Sequence, residues 1–514
     1  MINLPAEWIV NLASSLLFII LTGYIIWKKK EIAKHLPKVK RKTILLLTIL
    51  VVAAIIVSAV FIPHHFKWFT DEPDALERGK RIIVAQEEPT RFIHPVGWSV
   101  ELSYLFLMFG LSANNALFFN SILYGLGIIG VFLIGYWLTR KEEIGLFAGL
   151  IYASVPTILS YSGTAINNIS SNFWLVFAIA LIILSYRTKS KEIDILAIIL
   201  IGIASIFRTE NYFLFAYYLI GAFIFKKDKK AVLRLVQIGL LIFILTVPNL
   251  VNNMGLYLNN DLAAGNTGHG EQTWGLDNFE RNKETFQGLV TGSLHPYLIT
   301  ITYLVGIIIG LWKRRKETLF LLAWMIPLLL AFTQYFHAPP RFLIGIYPII
   351  AVFSAITINH VLEEIGINKR KKQRGFSRGF LTNLIVLLII IIAVPGIKAL
   401  ADNPWPAHTL ATYTPAYLED NYEDCIIVAQ HETSIRATTN LKTIKSSEFV
   451  RMQRQTEGQC YLYFEDMYCD GTFGHAEECQ IIKKYYKAEL IETFKEETDK
   501  TKNELKIYKL ESWK

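Results

Sequence analysis

Long apolar segments alternate with short polar connections along most of this chain. The apolar segments cover approximately residues 8–27, 43–62, 115–138, 144–160, 171–187, 193–207, 211–225, 235–251, 296–312, 318–335, 341–360 and 380–399. A helix of about 20 apolar residues crosses the hydrocarbon core of a bilayer. The pattern therefore predicts a mostly α-helical, polytopic membrane protein with a bundle of about 12 transmembrane helices.

Basic residues cluster in the connections and predict how the chain threads through the membrane. The clusters lie at residues 28–42, 140–141, 187–191, 226–234, 313–316 and 369–378. Loops on the cytoplasmic side of a membrane carry an excess of Lys and Arg. If every cluster is cytoplasmic, the apolar segments alternate in direction without conflict, and both termini are predicted to be extracytoplasmic.

The composition agrees with a membrane protein and argues against nucleic-acid binding. Of the 514 residues, 53% are hydrophobic, whereas a soluble domain is usually about 45–50% apolar. The net charge is +9, but the basic residues lie in loops and form no phosphate-binding face. Segment 8–27 is preceded by no basic residue and followed by no small-residue cleavage site, so it is predicted to be retained rather than cleaved as a signal peptide.

Three stretches are predicted to lie on the extracytoplasmic side: 63–114, 252–295 and everything after residue 400. The first contains the apolar piece Val96–Leu111, which is too short to span and is predicted to be an interfacial helix. The predicted domains are an extra N-terminal helix with its basic loop (1–42), a transmembrane domain (43–400) and a small extracytoplasmic α/β domain (401–514).

The segment after residue 401 is polar and has the features of a soluble domain. Strand-like runs occur at 425–430, 460–464 and 505–510, and residues 477–494 are predicted to form an amphipathic helix. The domain contains all the cysteines of the chain, which are Cys425, Cys460, Cys469 and Cys479. An even number of cysteines on an oxidising face favours disulfides, and a zinc site is the alternative.

Three carboxylates follow an aromatic cluster where the chain leaves the second apolar segment. Asp71, Glu72 and Asp74 come directly after Trp68-Phe69. A carboxylate that is partly desolvated there has a raised pKa and suits a general base. A solvated loop beside the membrane is the alternative reading.

Two arginines fall on the same predicted side as these acids. Arg341 begins an apolar segment, and Arg208 lies in a short turn with Glu210. A guanidinium binds phosphate by charge and by forked hydrogen bonds, although Arg also anchors helix ends at a membrane interface.

Other polar groups are weaker candidates for the same side. His94 precedes a proline, and it is either a substrate-positioning group or a residue that begins a helix. Asn168 follows Asn167 in a predicted outer turn, where its amide could position a substrate. The loop 252–295 is a candidate lid or acceptor region.

With these residues in place, the chain resembles the GT-C superfamily of membrane glycosyltransferases. The similarity is to the family that includes protein O-mannosyltransferases and the aminoarabinose transferase of lipid A. The Trp-Trp-Asp-Tyr-Gly signature of oligosaccharyltransferases is absent from the outer tail. The matching residues are Asp71-Glu72, residues 94–98 (HPVGW), 104–112 (YLFLMFGLS), 120–123 (NSIL) and 145–153 (GLFAGLIYA), Pro156, Tyr161-Ser162, residues 340–343 (PRFL) and Tyr347-Pro348.

The resemblance implies an inverting transfer of a sugar from a polyprenyl- or dolichyl-phosphate donor to a protein, lipid or glycan acceptor. The catalytic residues would be Asp71 and Glu72, and Arg341 and Arg208 would bind the donor phosphate. The substrate-positioning residues would be Asp74, His94, Asn168 and Glu210. Many relatives have an acid where this chain has Asn167-Asn168, so a divalent metal bridging two acids has no support here, and no cofactor or metal site is predicted.

Two other classes of function remain as alternatives. A transporter or flippase for lipid-linked sugars would carry ionisable groups near mid-membrane in broken helices. A catalytically silent relative would keep the fold and use its outer domain to bind a partner. The predicted location is the cell membrane in all three cases, with the catalytic loops and the C-terminal domain extracytoplasmic in the enzyme.

Overall fold

The apolar segments form a helical bundle in the computed structural model, and a small mixed sheet follows near the C-terminus. The predicted fold class is therefore confirmed. The structure describes residues 7–62, 64, 72–84, 95–188, 190–225, 229–258, 278–291, 295–335, 339–368, 386–387, 389, 394–396, 398, 414, 417–429, 432–452, 459–465, 476–497 and 502–513.

Fifteen α-helices are described before residue 369, and two 3₁₀ turns, Thr209–Tyr212 and Pro340–Gly345, connect some of them. The helices are α1 (Glu7–Ala33), α2 (Arg41–Phe61), α3 (Glu72–Val84), α4 (Gly97–Phe109), α5 (Ala113–Thr139), α6 (Glu142–Ala153), α7 (Pro156–Ser162), α8 (Asn167–Arg187), α9 (Lys191–Phe207), α10 (Phe213–Ile224), α11 (Lys229–Leu258), α12 (Asn278–Thr291), α13 (Tyr297–Lys313), α14 (Arg315–Gln334) and α15 (Tyr347–Asn368).

Six of the described helices are long and apolar enough to cross a membrane: α1, α2, α5, α8, α11 and α14. Segment 144–160, predicted as one straight span, is instead the pair α6 and α7, bent by 64°. The bend lies just before Pro156, where Val155 is extended, because a residue before proline avoids the helical region. The count of twelve spans stays a prediction, and segment 380–399 lies mostly outside the described residues.

The helices differ in how much of their surface the protein covers. The spanning windows of α5 and α8 are 67% and 72% buried, whereas those of α1 and α2 are 22% and 17% buried. The centre of the bundle therefore lies around α5 and α8. Apolar side chains such as Ile19 on α1 and Ile56 on α2 are exposed. This exposure fits a position that faces lipid, because apolar surface has no cost of exposure to hydrocarbon chains.

Ion pairs join the connections at one end of the bundle, which we call the basic end. Lys141 Nζ lies 2.5 Å from Glu363 Oε1, and Arg187 Nη2 lies 3.0 Å from Glu317 Oε1. These contacts join two of the basic clusters to neighbouring helix ends: residues 140–141 to the end of α15, and residues 187–191 to the start of α14. The threading deduced from the basic clusters requires this grouping.

The C-terminal domain contains a five-stranded sheet of order β2-β1-β3-β5-β4. Strand β1 is parallel to β2 and β3, and β5 is antiparallel to β3 and β4. The strands are β1 (Ile426–Ala429), β2 (Lys442–Lys445), β3 (Tyr461–Glu465), β4 (Tyr486–Glu497) and β5 (Lys502–Trp513), and the helices are α16 (Glu432–Thr438), α17 (Ser446–Arg451) and α18 (Ala476–Tyr485).

One prediction for this domain is wrong and one is confirmed in part. The predicted helix 477–494 ends at Tyr485, and the remaining residues form β4, because β-branched and aromatic residues such as Ile491 and Phe494 pair well across a sheet. A disulfide joins Cys425 to Cys460. Cys469 and the side chain of Cys479 lie outside the described residues.

Candidate functional site

The predicted acidic cluster leads into a helix that the sequence pattern missed. Asp71 lies outside the described residues, and α3 begins at Glu72. Glu72 is fully buried and Asp74 is half-buried. Glu72 and Asp74 therefore do not sit in an open solvated loop, because α3 packs inside the protein.

Gly79 allows α3 to lie close against α4. A Cβ at this position would be 3.1 Å from Leu102 Cβ and 3.2 Å from the Ser99 carbonyl oxygen, so any side chain would force the two helices apart. Helix α4 overlaps the predicted interfacial helix Val96–Leu111. Nine of its first ten residues are buried, with Tyr104 as the exception, whereas Leu107, Met108 and Phe109 at its end are exposed.

Helices α4 and α5 together hold the turn before α8. Trp98 Nε1 on α4 donates to the Ala165 carbonyl at 2.6 Å, and Asn120 Nδ2 on α5 donates to the Thr164 carbonyl, also at 2.6 Å. All of these groups are buried, and polar groups buried in a protein are nearly always hydrogen-bonded, as these are. The turn is therefore fixed, and it sets the position of the first residues of α8.

The first two residues of α8 are Asn167 and Asn168, and each tethers the backbone beside one of the predicted arginines. Asn167 Nδ2 donates to the Phe207 carbonyl at 3.2 Å, directly before Arg208. Asn168 Nδ2 donates to the Arg341 carbonyl at 3.1 Å. Both asparagines are buried. The amides found where many relatives have an acid thus fix the positions of Arg208 and Arg341.

The two arginines converge on one aromatic ring. The guanidinium carbon of Arg208 lies 4.7 Å from the Phe342 ring centroid, and that of Arg341 lies 5.8 Å from it. Such distances are typical of cation–π contacts. The structure therefore brings Arg208 and Arg341, 133 positions apart in the sequence, to the same place.

Negative and polar groups adjoin this pair. Arg208 forms an ion pair with Glu210. Arg341 interacts electrostatically with the hydroxyl of Tyr161, a buried residue at the end of α7. We call the end of the bundle that holds α3, the asparagine pair and the two arginines the site end.

Sequence reasoning gave no role to Glu101, a buried acid at the site end. Glu101 on α4 accepts hydrogen bonds from Ser170 Oγ and, at 3.2 Å, from Trp174 Nε1, both on α8. Burial raises the pKa of Glu101 to about 7, although both hydrogen bonds act in the opposite direction. A charged residue inside an otherwise apolar piece was the signal that could have identified it.

A second missed group is a buried hydrogen-bonded series that starts at His64. His64 Nε2 is 2.9 Å from Ser121 Oγ, Ser121 Oγ is 2.8 Å from Ser58 Oγ, and Ser58 Oγ is 2.6 Å from Ser162 Oγ. The ring of His64 also stacks on Phe118. Ser162 directly follows Tyr161, which interacts electrostatically with Arg341. Serines within apolar segments were its signal in the sequence.

The remaining predicted groups are outside the part of the chain that the structure describes. These are His94 and most of the loop 252–295, of which only the end of α11, α12 and His295 are described. Among the described residues, no group of three or more His, Cys, Asp and Glu side chains could hold a metal ion.

Comparisons with known proteins bear on the fold. No protein-family model and no curated protein sequence matches this chain. The structure is similar to the Archaeoglobus fulgidus oligosaccharyltransferase in its apo form, with a TM-score of 0.59, 14% identity, and coverage of 86% of this chain and 73% of that one. A second structure of that organism's enzyme, AglB, holds an inhibitory peptide and a dolichol-phosphate (TM-score 0.57, 14% identity, coverage 89% and 74%).

The structure is also similar to ArnT from Cupriavidus metallidurans. The apo form gives a TM-score of 0.57 at 12% identity, with coverage of 90% of this chain and 97% of that one. Another ArnT structure, which holds undecaprenyl phosphate, gives 0.54 at 11% identity, with the same coverage. The chain therefore has the fold of GT-C glycosyltransferases, as the resemblance in sequence predicted.

Proposed function

We propose that this protein is an integral-membrane glycosyltransferase that moves a sugar from a polyprenyl-phosphate donor to an acceptor on the extracytoplasmic face. The observation that supports this proposal most directly is the convergence of Arg208 and Arg341 on Phe342. It occurs in a fold shared with solved glycosyltransferases, two of whose structures hold a polyprenyl-type phosphate. The acceptor is a protein, lipid or glycan hydroxyl or amine.

The arginines suit the leaving group of this reaction. The bond between the anomeric carbon and the phosphate oxygen breaks, and the electron pair stays on the phosphate as a developing negative charge. Guanidinium groups fixed in advance stabilise such a charge without reorganising. Glu210 pairs with Arg208 and sets its direction, while Asn168 fixes the backbone of Arg341.

The acids suit the attacking side. The acceptor loses its proton as its oxygen or nitrogen bonds to the anomeric carbon, and the carboxylate of Asp71 takes that proton. Attack opposite the departing phosphate inverts the anomeric centre. Glu72 begins α3 directly after Asp71, and Asp74 and His94 are proposed to position the substrates from the same outer stretch.

Sugar transfer in membranes given radiolabelled polyprenyl-phosphate sugars tests this proposal. Asp71→Asn keeps the size of the side chain and removes the base, so we expect transfer to fall on the order of a hundredfold or more while donor binding is retained. The exposed Asp424 of the C-terminal domain provides a matched control, and Asp424→Asn should transfer sugar as the native chain does.

Two other results would change the conclusion. If Asp71→Asn transfers sugar at the native rate, Asp71 is not the base. If native membranes transfer nothing from any donor, the enzyme proposal fails, and uptake of the labelled lipid across the membrane would instead support a transporter.

A further inference from the structure

Helix α3 carries four charged residues in its last eight positions, which are Glu77, Arg78, Lys80 and Arg81, and yet much of it is buried. Glu77 and Arg78 are only 5% and 3% exposed. Burial of charge is tolerated when each charge is paired and hydrogen-bonded. The partners of these side chains therefore show what α3 is attached to.

One partner is the N-terminal end of α1. Arg78 forms an ion pair with Glu7, the first described residue of α1. Together with the close packing of Gly79 on α4, this contact attaches two sides of α3 to the helical bundle.

The other partner is the C-terminal domain. Arg436 Nε on α16 lies 3.1 Å from Glu77 Oε1, and Arg81 Nε on α3 lies 2.8 Å from the same oxygen. Glu77 is thus shared between an arginine of its own helix and one of the C-terminal domain.

A second contact joins the same two elements, with a cation on α3 and backbone acceptors in the C-terminal domain. Lys80 Nζ donates to the Arg436 carbonyl at 2.8 Å and to the Thr439 carbonyl at 3.3 Å. These carbonyls lie at the end of α16, where a helix has no internal donors left and its dipole favours a cation. Burial lowers the pKa of Lys80, whereas Glu77 and Glu419 act to raise it.

We propose that Glu77, Lys80 and Arg436 form a positioning clamp through which the C-terminal domain holds α3. Glu72 is the first residue of α3 and directly follows Asp71 in the sequence, and a rigid helix transmits the position set at Glu77 to Glu72 over about 7.5 Å. The clamp rests on the proposed function, because its role is to keep these acids aligned with the arginine pair. The C-terminal domain is then a working part of the active site as well as a soluble extension.

The test uses the full chain in lipid nanodiscs. Lys80→Met and Arg436→Met keep an unbranched side chain that covers the aliphatic part of the original one and remove the ionic contacts, while Lys80→Arg keeps the charge. Lys483→Met is the matched control, because Lys483 Nζ pairs with Glu465 at 2.5 Å inside the C-terminal domain. The measurements are kcat, the KM for the lipid-linked donor, and amide hydrogen exchange in α3.

A misplacement of about 1 Å can cost on the order of a hundredfold in rate. We expect Lys80→Met and Arg436→Met to lower kcat by about tenfold to a hundredfold, with the donor KM little changed and faster exchange in α3. Lys80→Arg should restore most of kcat, and Lys483→Met should leave both kcat and α3 exchange as in the native chain.

Three results would overturn the clamp. Unchanged kcat with faster exchange in α3 would mean that the contacts only stabilise the fold. An equal loss of kcat in Lys483→Met would assign the effect to general instability of the domain. Unchanged hydrogen exchange in α3 would show that the contacts do not hold the helix. Because the exchange measurement needs no sugar transfer, it distinguishes failure of the clamp from failure of the proposed function.

Discussion

The tether between Asn168 and Arg341 gives a prediction whose size can be worked from the structure. Asn168→Ala removes the donor 3.1 Å from the Arg341 carbonyl, at a site where Asn168 is only 3% exposed. A buried acceptor that loses its partner costs about 1–3 kcal/mol. The chain can recover part of this cost only by shifting the backbone of Arg341, which moves the guanidinium away from its place beside Phe342.

The rate effect follows from this free energy. If the whole cost appears in the transition state, 1–3 kcal/mol corresponds to a loss of about fivefold to 150-fold, since each 1.36 kcal/mol is a factor of ten. The assay is kcat/KM for a lipid-linked donor in nanodiscs, with thermal unfolding measured on the same samples. Asn168→Asp should lose at least as much, because a carboxylate cannot donate to a carbonyl.

Asn172 is the matched control, because it lies about one turn further along α8. Its Nδ2 donates to the Tyr152 hydroxyl at 2.6 Å, and it is 1% exposed. Asn172→Ala therefore has a similar cost in stability but no connection to either arginine. Equal losses of kcat/KM in the two variants, or native activity in Asn168→Ala, would refute the reasoning that the tether positions Arg341.

Two further predictions concern stability. The pKa of Glu101 is about 7 in the folded protein, against an ordinary value of 4.5, so its contribution to stability is full below pH 4.5 and is lost as the pH rises through 7. Thermal unfolding measured across this range should show a fall in stability with pH that Glu101→Gln removes. An identical pH dependence in the variant would contradict the assignment. The disulfide Cys425–Cys460 closes a loop with a sequence separation of 35, so its reduction should destabilise the C-terminal domain by about 3–4 kcal/mol, and an unchanged unfolding midpoint under reductant would contradict this.

The sequence predicted the elements whose signal is local. Apolar length alone identified α1, α2, α5 and α8, and short strand-like apolar runs identified β1 and β3. In β4, however, the segment 486–494 is as rich in Lys and Glu as a surface helix, and its pairing with β5 decides its conformation. The local sequence pattern could not distinguish a helix from a strand here, because the partner strand β5 lies further along the chain.

The site depends on contacts between residues far apart in the sequence. Arg208 and Arg341 were found from their position at segment ends, which is a local signal. Their tethers could not be found in this way, because Asn168 and Arg341 are separated by 173 residues and Asn167 and Phe207 by 40. The same is true of α3, whose polar sequence predicts an exposed loop until Glu7 and Arg436 are seen beside it.

The distribution of buried charge in the described residues favours the proposed enzyme over a transporter. A transport path requires ionisable groups near the middle of spanning helices. Among the described acidic, lysine and arginine side chains that are buried, Glu72, Glu77 and Arg78 lie on α3 and Glu101 lies on α4. The remaining one, Asp194, is in the first turn of α9 and accepts a hydrogen bond from Ser185 near the end of α8. Buried charge in the described residues is therefore concentrated where α3 and α4 pack at the site end, a distribution that favours the proposed reaction on one side of the membrane over a path across it.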